Sequence, residues 1–255
     1  MKISFQKQPG NPALGIAFTW MMILSGESPL RTTDLFIPEL FYDFLYIKEG
    51  NITIEDETKN TKLSLPTQVF KTIYTYPLKF VFSTPLILYG ARFSLAFAEL
   101  YWGETLEGNS FLKKNWLPDP ISDLQSFDRQ LINHIHENQI RNPTSLLSPA
   151  LEESAWLRHF SARHRRRLYK RVFGISKKEM WSIRNVHSFL EQTCDFDAQY
   201  PRIIQHVNDE VFYDQPHLNH TFKNMTGLSP LEYFEANSIL QDNLMAASYN
   251  EISIE

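Results

Sequence analysis

The stretch Ser161–Gly174, SARHRRRLYKRVFG, returns in altered form 53 residues later as Asp214–Gly227, DQPHLNHTFKNMTG. The matched positions have structural jobs. Ser161 and Asp214 are residue types whose side chains accept hydrogen bonds from the exposed N–H groups at a helix start. Gly174 and Gly227 fall where a helix ends in the left-handed conformation, which glycine adopts without a Cβ penalty. Tyr169 matches Phe222, Lys170 matches Lys223, His164 matches His217 and Ser176 matches Ser229. Each copy reads as a capped helix of about three turns.

Helical periodicity sorts these residues onto faces. Leu168, Tyr169 and Val172 in the first copy, and Leu218, Phe222 and Met225 in the second, form an inward apolar face. The opposite face of the first copy carries Arg163, Arg166, Arg167 and Lys170, an i, i+3, i+4, i+7 stripe that is wholly cationic. The same stripe in the second copy holds Pro216, Asn219, His220 and Lys223. Arg165 falls on the inner side, so it is expected to snorkel outward or meet a carboxylate. A helix of this diameter fits the DNA major groove, where arginine pairs bidentately with guanine and lysine reaches phosphates. A basic stripe alone is equally well a solvated face. Two capped, glycine-terminated helices with matched inner faces are what tandem helix-turn-helix units require, and a solvated face has no need of a second copy.

Charge distribution supports the nucleic-acid reading although the chain is acidic overall, with a formal net charge of −4. From Arg158 to Lys178 it carries nine Lys and Arg and not one Asp or Glu. At 255 residues the chain has room for two ordinary domains, and 43% hydrophobic against 21% charged residues describes a folded protein. The single cysteine, Cys194, excludes an intramolecular disulfide and fits a reducing compartment, so a cytoplasmic location is expected. The apolar run Ala13–Leu24 behind Lys2 and Lys7 has the length of a signal-peptide core and is too short to span a bilayer. Pro9 and Pro12 interrupt its approach and Thr19 and Trp20 sit within it, which favours a buried strand.

The chain up to about Leu117 reads as β-rich. Leu40–Lys48 and Ile52–Glu55 flank Glu49-Gly50-Asn51, a hairpin-like turn, and Thr72–Phe82 and Leu86–Phe93 are further aromatic and β-branched runs. A helix is expected around Ser94–Trp102. From Ile121 the period becomes helical, with Leu124, Phe127, Leu131 and Ile135 behind a Ser122 cap, which puts a boundary near Pro118–Pro120. Asn142–Ser145 reads as a loop, Glu152–Phe160 starts another helical stretch, and the helical pattern runs to about Leu240.

Both copies resemble the C-terminal domain of the AraC family, whose two recognition helices each end in a glycine followed by a Ser or Thr-Pro element. The segment Tyr213–Phe234, YDQPHLNHTFKNMTGLSPLEYF, is the most specific match, and the first copy followed by GISKKEM is the second. The resemblance covers roughly residues 121–240. It implies a sequence-specific DNA-binding transcription regulator, not an enzyme, with no cofactor. A helix from about Lys177 to Gln192 would then place both recognition helices in successive major-groove turns. Position by position, the resemblance implies base-reading roles for Arg163, Arg166 and Arg167 in the first unit and for Gln215, Asn219 and His220 in the second. Lys170 and Lys223 would contact the backbone. The sequence departs from the family pattern at Arg165, where an apolar residue is usual, and at Lys177, where proline is. Asn185 stands for a common arginine, Val207 for alanine and Val211 for the turn glycine. The N-terminal segment resembles, more loosely, the β-rich domains of this family that sense a small molecule or mediate dimerisation.

The expected architecture is α+β. It comprises a β-rich barrel or sandwich over residues 1–118, an all-α domain with two helix-turn-helix units over 121–241, and a C-terminal tail over 242–255. Expected partners are double-stranded DNA, with RNA polymerase, a second copy of the chain and an unidentified small-molecule effector as further candidates, and no membrane. Two alternatives remain open. Val211 and Pro216 would mark a degenerate second unit in a protein that works by protein–protein contact, or the β domain would house a small-molecule binding protein or enzyme with an accessory DNA-binding tail. His134 and His136 point about 200° apart on a helix and share no metal without other ligands. Asp195 and Asp197 beside Cys194 read as a polar loop, and no phosphate-binding glycine loop or nucleophile elbow is present.

Overall fold

A computed structural model describes residues 2–26, 31–100, 106–138, 160–193, 215–235 and 240–249. Ten strands come first: β1 (Lys2–Pro9), β2 (Ile16–Ser25), β3 (Arg31–Phe36), β4 (Tyr42–Glu49), β5 (Ile52–Asp56), β6 (Thr61–Ser64), β7 (Gln68–Lys71), β8 (Leu78–Ser83), β9 (Leu86–Phe93) and β10 (Phe111–Lys113). A helix, α1 (Ala96–Leu100), lies between β9 and β10 within the stretch Ser94–Trp102 where one is expected; Tyr101 and Trp102 lie outside the described residues. Helices follow: α2 (Leu124–Asn138), α3 (Ala162–Phe173), α4 (Lys177–Thr193), α5 (Gln215–Thr226), α6 (Pro230–Glu235) and α7 (Leu240–Tyr249). The loop read at Asn142–Ser145, most of the helical stretch read at Glu152–Phe160, and Val207 and Val211 lie outside the described residues.

The strands form two open antiparallel sheets, one ordered β1-β2-β9-β4-β7-β10 and the other β3-β8-β5-β6, rather than a closed barrel. The six-stranded sheet is covered on both faces, which alternation along β4 makes plain. Leu45 and Ile47 point into the core between the sheets with Trp20, Phe80 and Phe82, whereas Tyr42 and Phe44 pack on the other face with Phe127, Tyr169 and Phe222. A sheet buried on both sides reads as near-continuous apolar sequence. The Ala13–Leu24 run is of this kind: from Ile16 it forms β2, each residue buried or half-buried as far as Leu24.

Three local expectations are corrected. Glu49-Gly50-Asn51 is not a hairpin: β4 pairs with β7 and β9, and β5 with β6 and β8, so the turn carries the chain from one sheet to the other. Gly50 has φ +88°, and a Cβ there would sit 2.4 Å from the Pro85 carbonyl oxygen, so the crossing needs glycine on both counts. The cap of α2 is Asp123, whose Oδ1 accepts from Ser126 N at 2.7 Å, while Ser122 donates to the Asp123 carboxylate at 2.8 Å. Thr72–Phe82 is also not one strand, since β7 ends at Lys71 and β8 begins at Leu78 after Pro77.

Three charged side chains on the six-stranded sheet, Asp43, Lys71 and Arg92, are buried together with Glu39 from the connection between β3 and β4. Asp43 on β4 lies opposite both Lys71 on β7 and Arg92 on β9. Its carboxylate accepts from Lys71 Nζ at 2.7 Å and from Arg92 Nε at 3.0 Å. Arg92 also donates through both terminal nitrogens to Glu39, at 3.0 and 2.7 Å. Burial alone would raise the Asp43 carboxyl, but the Arg92 and Lys71 charges beside it outweigh that and hold it below the usual carboxylate range.

The helical region is bound to the sheets by specific hydrogen bonds as well as by apolar contact. Tyr42 Oη donates to Phe173 O at 3.2 Å, and Leu106 N donates to Arg171 O at 3.3 Å. His187 on α4 has a ring nitrogen 2.6 Å from Pro38 O. At the far end of the chain, Asp34 accepts from Leu240 N and Gln241 N, capping α7 from β3, while Leu240 and Leu244 join the core between the sheets. No helix among the described residues is long and apolar enough to cross a membrane.

Truncating Arg92 leaves Glu39 and Asp43 buried, with Lys71 alone still paired to Asp43 among the described residues. Arg92→Ala is expected to cost about 3–5 kcal/mol in urea unfolding, the range for breaking one side of a buried pair; a loss under about 1 kcal/mol would show the network to be hydrated. The second expectation concerns pH. Burial, helped by Arg92, holds His187 below the ordinary 6.5 even though Glu39 and the Pro38 carbonyl pull the other way. Its docked form is therefore neutral. The unfolded chain takes up a proton near 6.5 that the folded chain does not, so stability falls as pH drops through that value toward the folded one. His134, also lowered by burial, acts in the same direction. His187→Gln is expected to reduce the loss of unfolding free energy between pH 7.5 and 5.5, and an unchanged loss would rule out His187 as its source.

Candidate nucleic-acid interface

The sequence repeat is a structural repeat. The starts of α3 and α5, Ala162 and Gln215, and their ends, Phe173 and Thr226, are each 53 residues apart. Ser161 Oγ accepts from His164 N at 3.3 Å at the head of α3; Asp214, its counterpart, lies outside the described residues. At the other end Gly174 has φ +79° and donates to Lys170 O at 3.0 Å, and Gly227 has φ +80° and donates to Lys223 O at 2.9 Å. The repeat continues into the following turn. Ser176 N donates to Glu179 Oε2 at 2.7 Å and Glu179 N to Ser176 Oγ at 3.2 Å, while Ser229 and Glu232 form the same reciprocal pair at 2.7 and 3.3 Å. These boxes satisfy two otherwise orphaned N–H groups at the head of α4 and of α6. Sequence reading matched Ser176 with Ser229 but passed over the carboxylates, although Ser-x-x-Glu at both places was the available signal.

The inner faces are as expected where they are described. Tyr169, Val172 and Phe173 are buried and Leu168 is half-buried; Phe222 and Met225 are buried. The side chain of Leu218 lies outside the described set, as do those of Gln215 and Pro216. Arg163, Arg166, Arg167 and Lys170 are all exposed on α3, and none of the four forms an ion pair with another described residue. On α5, Asn219, His220 and Lys223 are exposed, and the Asn224 amide nitrogen lies 2.9 Å from His220 Nε2. The structure thus brings the first four candidates together on one face and three of the second four on another.

Arg165 does not enter the core. It is half-buried and lines a groove of about 720 Å³ between α3 and the head of α4 with Arg166, Tyr169, Lys177, Lys178 and Trp181. Lys177 Nζ lies 5.9 Å from the Tyr169 ring centroid. A second groove of about 620 Å³ lies between α4 and α5, with Trp181, Asn185, Thr221 and Asn224 on its walls and Thr75 of the β region at its edge. Trp181, 59% exposed, is the residue that sequence reading missed. No group of three or more His, Cys, Asp or Glu is arranged to hold a metal among the described residues; His134 stacks on Trp116 with centroids 5.3 Å apart.

No family model matches the chain, and no curated protein sequence does. Solved structures with a similar course include an apo form of ToxT from Vibrio cholerae. It is 11% identical over 89% of this chain and 99% of that chain, at a TM-score of 0.42. Unsaturated fatty acid bound ToxT from the same organism is 11% identical, over 83% of this chain and 96% of that one, at 0.37. An HTH_3 family transcriptional regulator from Vibrio cholerae is 9% identical over 36% of this chain and 50% of its own, at 0.27. At these values the functional reading rests on the residues.

The half-buried, groove-lining position of Arg165 sets an expectation for stability. Arg165→Leu should leave the unfolding free energy within about 1 kcal/mol of wild type or raise it, because leucine keeps the apolar contact that the half-buried arginine stem makes in the groove. A larger loss in urea titration would identify a carboxylate partner on which α3 depends.

Proposed function

We propose that this protein is a DNA-binding transcription regulator of the AraC type that reads duplex DNA with α3 and α5. The observation that carries the reading is the duplicated helix, capped alike at its C-terminus and followed by the same capping box, with an outward polar stripe in both copies. In α3 that stripe works against the helix itself. Arg163 with Arg167, Arg166 with Lys170, and Arg167 with Arg171 are like charges at i, i+4, each costing about 0.2–0.5 kcal/mol. α3 holds no acid to offset them. A polyanion laid along the stripe turns the repulsion into attraction and releases counterions.

In this reading Arg163, Arg166 and Arg167 reach base edges and Lys170 a phosphate. Gln215, Asn219 and His220 read from α5, with Lys223 on the backbone. The units are unequal: the first supplies most of the charge, and the second, with one certain cation in its stripe, supplies selectivity through amide and imidazole groups.

Fluorescence anisotropy of the full chain on duplex DNA across salt tests this. Wild type should bind with steeply salt-dependent affinity. Arg163→Ala or Arg167→Ala should cost about 1–3 kcal/mol on the preferred site and relax base preference, while Lys170→Ala should weaken all sequences alike. Neutralising Arg166 with Arg167 should flatten the log–log salt slope by about two units, and neutralising His220 with Lys223 at pH 7.5 by about one. Equal slope losses would restore two equivalent readers, and no salt-dependent binding would remove the reading altogether.

A further inference from the structure

We infer that Trp181, with Lys177 and Lys178, forms a third DNA contact between the two readers, against the sugar–phosphate backbone bordering the minor groove. This rests on the reading of α3 and α5 as the readers and goes beyond it, since α4 there serves only as a connection. The two grooves described above meet at Trp181, one bounded by α3 and the other by α5. The indole is therefore a ridge standing between the two helices, on the side of α4 opposite its buried residues Met180, Ile183, Val186 and Leu190. Lys177 and Lys178, four and three residues earlier, share that exposed face and are both exposed.

An exposed tryptophan on a helix whose other large apolar residues are buried leaves a large apolar ring in water unless a partner covers it. The chemistry around it selects the partner. Lys177, Lys178, Arg165 and Arg166 line one groove, and Ser182, Asn185, Thr221 and Asn224 supply neutral donors in the other. Glu179, whose carboxylate is engaged in the capping box with Ser176, is the one acid lining either groove among the described residues. That setting fits a polyanion with an apolar sugar edge. When two helices occupy successive major-groove turns on one side of a duplex, the surface between them faces the intervening minor groove and its two phosphate rails. A ridge with cations beside it fits that position, where apolar side chains pack against sugars or wedge between base steps.

The test uses the full chain and a duplex carrying its preferred site, with anisotropy across salt and hydroxyl-radical footprinting. Trp181→Ala should weaken binding about tenfold at an unchanged salt slope, because apolar contact and not charge is lost. Lys177→Ala with Lys178→Ala should flatten the slope by about two units. Both variants should lose footprint protection in the minor groove between the two read segments while keeping it in the segments themselves. The substituted residues are exposed, and unchanged thermal melts verify the fold. Wild-type binding with unaltered variants would overturn this inference alone and leave the ridge to a protein partner. Wild type that binds no DNA would overturn both it and the two-reader proposal. A protection loss spread over the whole site would also overturn it, since Trp181 would then position the readers and not touch DNA itself.

Discussion

The ion pairs from Lys71 through Asp43 to Arg92 and Glu39 constrain everything built on the six-stranded sheet. They run across three adjacent strands at partner positions, so the register of β7, β4 and β9 is written into them. A slip of one residue would separate Lys71, Asp43 and Arg92 inside an apolar core, where each unpaired ion costs several kcal/mol. Such pairs are weak contributors to net stability compared with apolar replacements, but they discriminate strongly between one register and its neighbours. Here the discrimination extends outward. Glu39 is held to Arg92 by two hydrogen bonds, and the adjacent Pro38 carbonyl receives His187 of α4. The charged cluster that fixes the sheet thereby also fixes the landing point of α4, the helix between α3 and α5.

The same economy appears at the C-terminal end of α3. Its last carbonyls lack partners within the helix, and three elements supply them: Gly174 N for Lys170, Leu106 N for Arg171 and Tyr42 Oη for Phe173. Gly174 is required twice. Its φ of +79° admits few other residues, and a Cβ on Gly174 would stand 2.7 Å from Gly108 N and 2.9 Å from Leu106 O. Gly227, the matched cap on α5, needs glycine for its φ alone, since a Cβ there would meet only Pro77 Cγ at 3.5 Å. Two positions that look alike in sequence therefore carry different loads.

This contrast explains which parts of the structure were legible in the sequence. Helix caps, glycine stops and apolar periodicity act over three or four residues, so Ser161, Gly174, Gly227 and the faces of α3 and α5 could be read directly. Sheet pairing acts over long separations. The Asp43 bonds join residues 28 and 49 positions away, and those of Glu39 span 53, and no local pattern marks these partners. Gly50 illustrates the ambiguity, because a positive-φ glycine between two strand-like runs is what a hairpin shows and also what a crossing between stacked sheets needs. The helix α7 was invisible for a related reason: its start is capped by Asp34, some 206 residues earlier, and its apolar residues matter only against β3 and the core beyond it. Trp181 escaped attention because a lone aromatic in a helical stretch is usually core. Its exposure depends on where α3 and α5 lie.

The unequal anchoring of the two units follows from their charge. A helix that holds five arginines and a lysine and no acid has low intrinsic stability, since its like charges at i, i+4 repel and Arg163 and Arg165 sit in the first turns, at the positive end of the dipole. Such a helix persists only if tertiary contacts hold it. In this protein α3 is the helix whose terminal carbonyls are taken up by the β region and whose Tyr169, Val172 and Phe173 join the core on the sheet's helical face. α5, nearly neutral, carries no such internal strain; its Phe222 and Met225 join the same core, Phe222 packs edge-on against Phe189 and Tyr233, and the Thr226 hydroxyl donates to Phe222 O at 2.9 Å. Concentrated like charge is a liability within an isolated helix, and the fold takes up the end of the helix that carries it with long-range hydrogen bonds from the β region.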